Sequence, residues 1–134
     1  MSVIMPAYNS EAYIADAIRS VISQTYHNWE LLIVNDASKD STAQILQKFD
    51  SEENRIRVFT NSTNKGTAYS RNKAIEAAEG QYISFLDADD LWKENKLERQ
   101  LKVLSKANVA ACFSSYQLMH ESGNKSNIII QALP

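Results

Sequence analysis

Short apolar runs alternate with stretches of helical periodicity along most of this chain. Ser2-Val3-Ile4-Met5 reads as a strand closed by Pro6. Asn9 or Ser10 then suits a helix cap, with Glu11 in the first turn, where the helix dipole favours an acid. Ile14, Ala17, Ile18, Val21 and Ile22 follow at the i, i+3, i+4, i+7, i+8 spacing of one buried helical face. Leu31 to Val34 is a second strand, ending in Asn35-Asp36. The polar stretch Asp36 to Thr42 is turn and cap chemistry, leading to a helix with Ile45, Leu46 and Phe49 on one side. Arg55 to Thr60 alternates with period two and predicts a third strand; Asn61 to Gly66 is a loop. A helix over about Thr67 to Ala78, stopped by Gly80, precedes the run Tyr82 to Leu86. A further helix over about Leu91 to Ser105 turns Leu97, Leu101 and Leu104 inward. Val109 to Met119 is extended, Glu121 to Lys125 a turn, and Asn127 to Ile130 a last strand. Strands alternating with helices through Ser105 predict βαβ units, right-handed crossovers and a mostly parallel sheet, hence the α/β class.

The run Tyr82-Ile83-Ser84-Phe85-Leu86 ends abruptly in Asp87-Ala88-Asp89-Asp90. Burying Ile83, Phe85 and Leu86 is favourable, whereas burying unpaired carboxylates is not. The acids are therefore expected where the strand leaves the sheet, at the end where open α/β sheets hold their ligands. Side chains two apart on extended chain share a side, so Asp87 and Asp89 can converge while Ala88 leaves room between them. Two carboxylates aimed at one point call for a cation, and oxygen-only ligands select a hard one such as Mg²⁺ or Mn²⁺. The plainer account of such acids is a solvated turn or a helix cap. Asp36, at the exit of the second strand, has the same plainer account as a cap for the helix after Ser38. Arg71 has one as a solvated helical residue, or as a partner of Glu76 or Glu79.

Composition narrows the classes. At 134 residues the chain is read as one domain, able to bury roughly two thirds of its unfolded surface. With 22% charged residues and a net charge of −2, nothing points to nucleic acid or an anionic membrane. Cys112 is the one cysteine and reads as a small buried hydrophobe; a disulfide framework and cysteine metal sites are excluded, which fits a reducing compartment. His27 and His120 are isolated. No signal peptide is evident, and no apolar run approaches the roughly 20 residues of a membrane span. The sequons Asn61-Ser62-Thr63 and Asn124-Lys125-Ser126 are read as chance. A P-loop needs Gly-x-x-x-x-Gly-Lys-Ser/Thr and a dinucleotide site needs Gly-x-Gly-x-x-Gly after the first strand. With 3 glycines, and Pro6-Ala7-Tyr8-Asn9 at that turn, the chain has neither. An aspartate-nucleophile phosphatase fails at Leu91, and a receiver domain fails on the order of its later strands.

Five ordered motifs resemble family 2 glycosyltransferases. They are Ser2-Val3-Ile4-Met5-Pro6-Ala7-Tyr8-Asn9-x-Glu11-x-Tyr13-Ile14, then Ser20-Val21-Ile22-x-Gln24-Thr25-Tyr26-x-Asn28-Trp29-Glu30-Leu31, then Ile33-Val34-Asn35-Asp36-x-Ser38-x-Asp40-x-Thr42. Asn64-x-Gly66-x-x-x-x-Arg71-Asn72-x-Ala74-Ile75 and Gly80-x-Tyr82-Ile83-x-Phe85-Leu86-Asp87-Ala88-Asp89-Asp90 complete the match. The likeness is close over Ser2 to about Ser105 and weak beyond it. Asn35 stands where the family most often has a second Asp.

The resemblance implies the GT-A fold, a Rossmann-like α/β/α three-layer arrangement around a mostly parallel sheet, here truncated at its C-terminus. It implies inverting transfer of a sugar from a nucleoside diphosphate sugar, commonly a UDP-sugar, to an acceptor hydroxyl in cell-surface polysaccharide or lipid-linked glycan synthesis. Pro6, Ala7, Tyr8 and Glu11 would line the nucleotide pocket, and Asp36 would accept a hydrogen bond from the base. Lys65 and Arg71 would approach the ribose or diphosphate. Asp87 and Ala88 would lie against the donor, with Asp89 the main ligand of Mn²⁺ or Mg²⁺ and Asp87 beside it. The physics agrees: a carboxylate about 4 Å from a phosphate without metal is repelled by roughly 4 kcal/mol at an effective dielectric near 20.

Inversion also needs a general base on the acceptor hydroxyl. No residue after Asp90 suits it: Glu94 and Glu98 belong to a helix and Glu121 to a turn. With Ile128 to Pro134 apolar and nothing following to cover it, the chain is expected to be a piece of a longer protein. Residues 1–105 would be the nucleotide-binding core and 106–134 the start of the acceptor side, the base lying beyond residue 134. Such a piece is expected to bind nucleotide but to transfer sugar poorly. Cytoplasmic localisation is expected, with any membrane association of the whole protein peripheral. The alternative is a non-catalytic nucleotide-binding or scaffolding domain that keeps the fold.

Overall fold

A computed structural model describes residues 1–106, 110–120 and 122–131. The chain forms two compact units, Met1–Asn95 and Lys96–Pro134.

The first unit is built on a four-stranded sheet of β1 (Ser2–Ala7), β2 (Glu30–Asn35), β3 (Ile56–Thr60) and β4 (Ile83–Phe85), in the order β3-β2-β1-β4. Every pairing is parallel. Between the strands lie α1 (Ile14–Ile22), α2 (Thr42–Glu52) and α3 (Thr67–Glu76). Alternation puts Ile4, Leu32 and Val34 on one face, where α3 packs through Ala74 and Ile75. Val3, Met5, Leu31 and Ile33 point the other way and are equally buried, as are Ile14, Ala17, Ile18 and Val21 of α1. Each such aliphatic side chain contributes roughly 1.5–3 kcal/mol on burial. Ile22 is only half-buried.

β1 does not stop at Pro6 but continues through it to Ala7. The ladder explains why. Residues 2 and 4 of β1 bond toward β4, whereas residues 1 and 7 bond toward β2. Pro6 therefore presents its missing N–H to the β4 side, where the last registered pair is Ile4 with Phe85. No ladder bond is lost.

Helix boundaries depart from expectation wherever distant chain claims the backbone. Asn9 and Ser10 do not cap α1, which starts at Ile14 with Tyr13 before it. Asn9 sits at φ 47° and its side chain accepts from the Lys39 N–H. The Ser10 N–H donates to Thr42 Oγ1, and Glu11 lies outside the helix. Gly80 is not the stop of α3, whose cap is Ala77. Its role is close approach: a Cβ there would lie 2.6 Å from Ser2 Oγ and 2.7 Å from the Ser2 nitrogen. β4 is shorter than Tyr82–Leu86, and of its expected core residues only Leu86 is buried. Ile83 and Phe85 are 42% and 51% exposed, because β4 is an edge strand of this sheet. Residues 91–95 are not helical. Their backbone is tied to the end of α1, with Gln24 Nε2 donating to the Lys93 carbonyl and Thr25 N–H to that of Glu94.

The second unit holds α4 (Lys96–Lys106), with Leu97 buried and Leu101 and Leu104 half-buried. A hairpin follows, β5 (Tyr116–Met119) with β6 (Lys125–Ile130), antiparallel. The extended stretch expected before it is regular strand only from Tyr116. Val109, Glu121 and 132–134, for which extended chain, a turn and an apolar end were expected, lie outside the described residues. Cys112 is not buried as expected but half-exposed, with its thiol 3.9 Å from the Gln100 carbonyl.

Candidate functional site

β1 is flanked by β2 on one side and β4 on the other, so the strand order reverses at β1 and a crevice opens beyond the carboxyl ends of the strands. β4 ends opposite Ile4, while β1 runs on to Ala7. The space is a cavity of about 420 Å³, within the usual range of about 300–1,000 Å³ for small-ligand sites. Pro6, Ala7, Tyr8, Asn9, Ser10 and Tyr13 line it from the β1 exit. Asp87, Ala88 and Asp89 line it from the β4 exit, Asp36 from the β2 exit, and Thr67 and Ser70 from α3. Two strand exits tipped with acid thus face one cavity.

The two acidic exits differ in how their charge is held. Asp36 is 3% exposed. Its Oδ1 accepts from Asn61 Nδ2 at 2.8 Å and from the Lys65 N–H at 2.8 Å, and its Oδ2 from the Gly66 N–H at 2.7 Å. Burial alone pushes this carboxyl up, but those bonds and one from Ser70 outweigh it and hold it below the usual carboxylate range. Gly66 supplies its N–H from φ 86°, a left-handed backbone that glycine adopts without strain. At the β4 exit Asp87 has one cationic partner, Arg71 Nη2, at 2.6 Å from Oδ1. Asp89 is exposed. Burial, then the charges of Asp89 and Asp87, push the Asp90 carboxyl above its ordinary value.

Among residues assigned from the sequence, Pro6, Ala7, Tyr8, Asp36, Asp87, Ala88 and Asp89 meet at the cavity, whereas Glu11, Lys65 and Arg71 do not line it. The Glu11 carboxylate accepts from the Ser41 N–H at 2.8 Å, bracing the loop before α2. The Lys65 side chain is exposed, and the residue serves the site through its backbone N–H. Arg71 acts through Asp87 and not through Glu76 or Glu79; Glu79 pairs instead with Arg57. Among the described residues the buried Nε–H of Arg71 has no acceptor. Sequence reading missed Asn61, which reaches Asp36 from a loop, and Lys73, which bonds Asn61 from α3. No spacing rule marks such polar residues.

The donor set at the β4 exit is all carboxylate, which fits a hard divalent cation. Among the described residues no cluster of three or more His, Cys, Asp or Glu side chains forms a ready cage. A cation held by Asp87 and Asp89 would complete its shell with ligand and water oxygens, the usual habit of Mg²⁺ at phosphate sites.

A parallel α/β sheet with a cavity at its switch point, acidic at two strand exits, is the arrangement in which open α/β folds hold their ligands. Comparison with known proteins narrows the class: the family model for glycosyl transferase family 2 matches residues 2–129, and the chain belongs to that family. It is 43% identical over 132 residues to the putative teichuronic acid biosynthesis glycosyltransferase TuaG of Bacillus subtilis, covering 98% of this chain and 52% of that protein. It is 43% identical over 123 residues to the Escherichia coli UDP-Glc:alpha-D-GlcNAc-diphosphoundecaprenol beta-1,3-glucosyltransferase WfgD, covering 91% of this chain and 47% of that one. The fold is GT-A. The structure of Staphylococcus aureus TarS 1-349 with UDP-GlcNAc matches at TM-score 0.73 and 33% identity, over 78% of this chain and 31% of that one. The Pyrobaculum calidifontis mannosyltransferase PcManGT with GDP-Man and Mn²⁺ matches at TM-score 0.75 and 25% identity, over 84% of this chain and 35% of that one. The chain thus spans about half the length of the curated relatives it matches.

Proposed function

We propose that this chain is the donor-binding part of a metal-dependent, inverting glycosyltransferase that uses a nucleoside diphosphate sugar, a UDP-sugar first, in cell-surface polysaccharide or lipid-linked glycan synthesis. The observation that carries the reading is the meeting of Pro6 to Tyr8, Asp36 and Asp87-Ala88-Asp89 around one cavity at the switch point. The relatives named for UDP-Glc and crystallised with UDP-GlcNAc support the choice of donor. The nucleoside end lies at Asp36 and the β1 exit, and the diphosphate lies toward Asp87 and Asp89. Mn²⁺ or Mg²⁺, when bound, supplies charge for the departing diphosphate as a Lewis acid. Asp87 and Asp89 hold that charge in place, and Arg71 keeps Asp87 oriented. The charges of Asp89 and Asp87 add to burial in pushing the Asp90 carboxyl up, so these acids repel one another where they gather. A scaffold that binds nothing has no use for such a cluster.

The acceptor's proton needs a base. The carboxylates lining the cavity are Asp36, Asp87 and Asp89, and each already has a partner or a metal role. This chain alone is therefore proposed to bind donor and to transfer sugar poorly. Among the described residues no helix is long and apolar enough to cross a membrane, and the proposed place of action is the cytoplasmic face. The test is calorimetric titration of UDP, with GDP and CDP as controls, in Mn²⁺ and then in EDTA, on the chain and on Asp89→Ala. UDP binding that needs Mn²⁺ and weakens at least 10-fold in Asp89→Ala is expected. Binding indifferent to both changes would refute the reading.

A further inference from the structure

The corner between β2, β3 and α3 contains a polar relay that the donor site as described does not use. Asn61 is 6% exposed, so its amide must be satisfied within the protein. Its Nδ2 donates to Asp36 Oδ1 at 2.8 Å and to Ser70 Oγ at 3.2 Å. Its Oδ1 accepts from Lys73 Nζ at 2.8 Å, and Lys73 also donates to the Thr60 carbonyl at 3.1 Å, at the end of β3. An ammonium can only donate. Lys73 must therefore take the oxygen of the Asn61 amide, which turns the nitrogen toward Asp36. Asp36 in turn accepts the N–H groups of Lys65 and Gly66, the turn that opens α3. These bonds use a burial that excludes glycan attachment at Asn61. The relay runs from the β3 exit, through Lys73 and Asn61, to Asp36 and the Lys65–Gly66 turn.

We propose that Asn61 and Lys73 are positioning residues of the donor site, which act through Asp36 to fix the wall that receives the nucleobase. The inference rests on the donor-site reading above. Without Lys73 the Asn61 Oδ1 loses its ammonium donor, so the amide is no longer held from both ends and its grip on the Asp36 carboxylate loosens. The Lys65–Gly66 turn then loses its anchor, and Asp36 its fixed orientation toward a base. The diphosphate end, held from the β4 exit, keeps its own geometry.

The test compares UDP with CDP, in Mn²⁺, on the chain and on Lys73→Met, Asn61→Ala and Lys73→Arg, with amide exchange at Lys65 and Gly66 read in parallel. In Lys73→Met and Asn61→Ala, UDP is expected to bind about 10-fold more weakly while CDP changes by less than about 2-fold, and protection at both amides falls. Lys73→Arg, which keeps a donor, is expected to retain most of the UDP preference. General damage to the fold would weaken both nucleotides together, so an unchanged UDP-to-CDP ratio overturns the proposal. Wild-type binding with variants that do not move it refutes the relay alone. Failure of the wild-type chain to bind UDP refutes the donor-site reading and the relay with it.

Discussion

Replacing Asp36 with asparagine keeps the shape of the side chain and exchanges one oxygen for an amide nitrogen. In the native site Oδ1 accepts from Asn61 and the Lys65 N–H, and Oδ2 accepts from the Gly66 N–H, at 2.7–2.8 Å. If the new nitrogen replaces Oδ2 it faces the Gly66 N–H, and if it replaces Oδ1 it faces both the Asn61 and the Lys65 donors, so at least one N–H meets a nitrogen instead of an oxygen. An unsatisfied buried donor costs about 1–3 kcal/mol, and each bond that becomes neutral loses up to about 1 kcal/mol more. The sum is a loss of about 2–4 kcal/mol. With a urea m-value of about 2 kcal/mol/M, the midpoint of unfolding falls by about 1–2 M.

The acid limb makes this test specific. Asp36 is held below its ordinary value of 3.8 in the folded protein. A carboxyl lowered in this way contributes stability that is present in full above its unfolded pKa, about 3.9, and is lost as pH falls through the folded pKa. Asparagine does not titrate. The stability gap between the two proteins is therefore expected to stay constant above about pH 5 and to narrow in stronger acid. Urea titrations at pH 7 and at pH 3, followed by far-UV circular dichroism, measure both quantities. A gap under about 0.5 kcal/mol at pH 7, the scatter of ordinary surface substitutions, or one as wide at pH 3, would show that the carboxylate does not organise the loop.

Gly80→Ala should destabilise the fold by about 1–3 kcal/mol, the usual cost of forced overpacking, since the new Cβ meets Ser2 backbone at 2.7 Å; a melting temperature unchanged within 1–2 °C by calorimetry contradicts the close approach. Glu30 takes bonds from Ser2 Oγ and the N–H groups of Glu79 and Gly80. Burial raises its pKa, but these bonds, with the charge of Arg57, bring it below the ordinary value. Its contribution is present above its unfolded pKa near 4.3 and lost as pH falls through the folded one. Glu30→Gln should therefore cost about 1–2 kcal/mol at pH 7 and much less near pH 3, read by the same urea titrations.

The parallel sheet and the meeting of the strand exits were legible because each rests on local chemistry. Apolar runs that end in Asp36 and in Asp87 cannot continue into the core, so the acids lie at the carboxyl edge. What was not legible depended on partners far away in the chain. Asn9, Ser10 and Glu11 carry the composition of a cap, yet their bonds go to Ser38, Lys39, Asp40, Ser41 and Thr42. Gly80 looks like a helix stop because that use of glycine is local; its contact with Ser2 joins residues 78 apart. Residues 91–95 follow a helix-like pattern, but the carbonyls of Lys93 and Glu94 are taken by Gln24 and Thr25. Ile83 and Phe85 show that an apolar run does not by itself reveal how many sides of a strand are covered.

The exits of β2 and β4 carry the same residue type and show what the following chain makes of it. At the β2 exit, the turn between β3 and α3 comes back and delivers two N–H groups to Asp36, with Asn61 and Ser70 beside them. That carboxylate is charged, buried and satisfied, so it can orient a ligand without needing one. At the β4 exit the described residues bring fewer donors: Asp87 has Arg71, Asp89 is exposed, and the Asp90 carboxyl is held above its ordinary value by burial and by its neighbours. Excess negative charge there is relieved most directly by a cation. A hard divalent ion should therefore lower the Asp90 pKa part of the way toward its ordinary value as it binds, because it offsets the charges of Asp89 and Asp87 that add to burial in raising it. Titrating the Asp90 carboxyl by NMR with and without Mg²⁺ measures that coupling. An Asp90 pKa that Mg²⁺ leaves unchanged would mean that Asp87 and Asp89 do not hold the ion, and the cation would then have to be placed elsewhere.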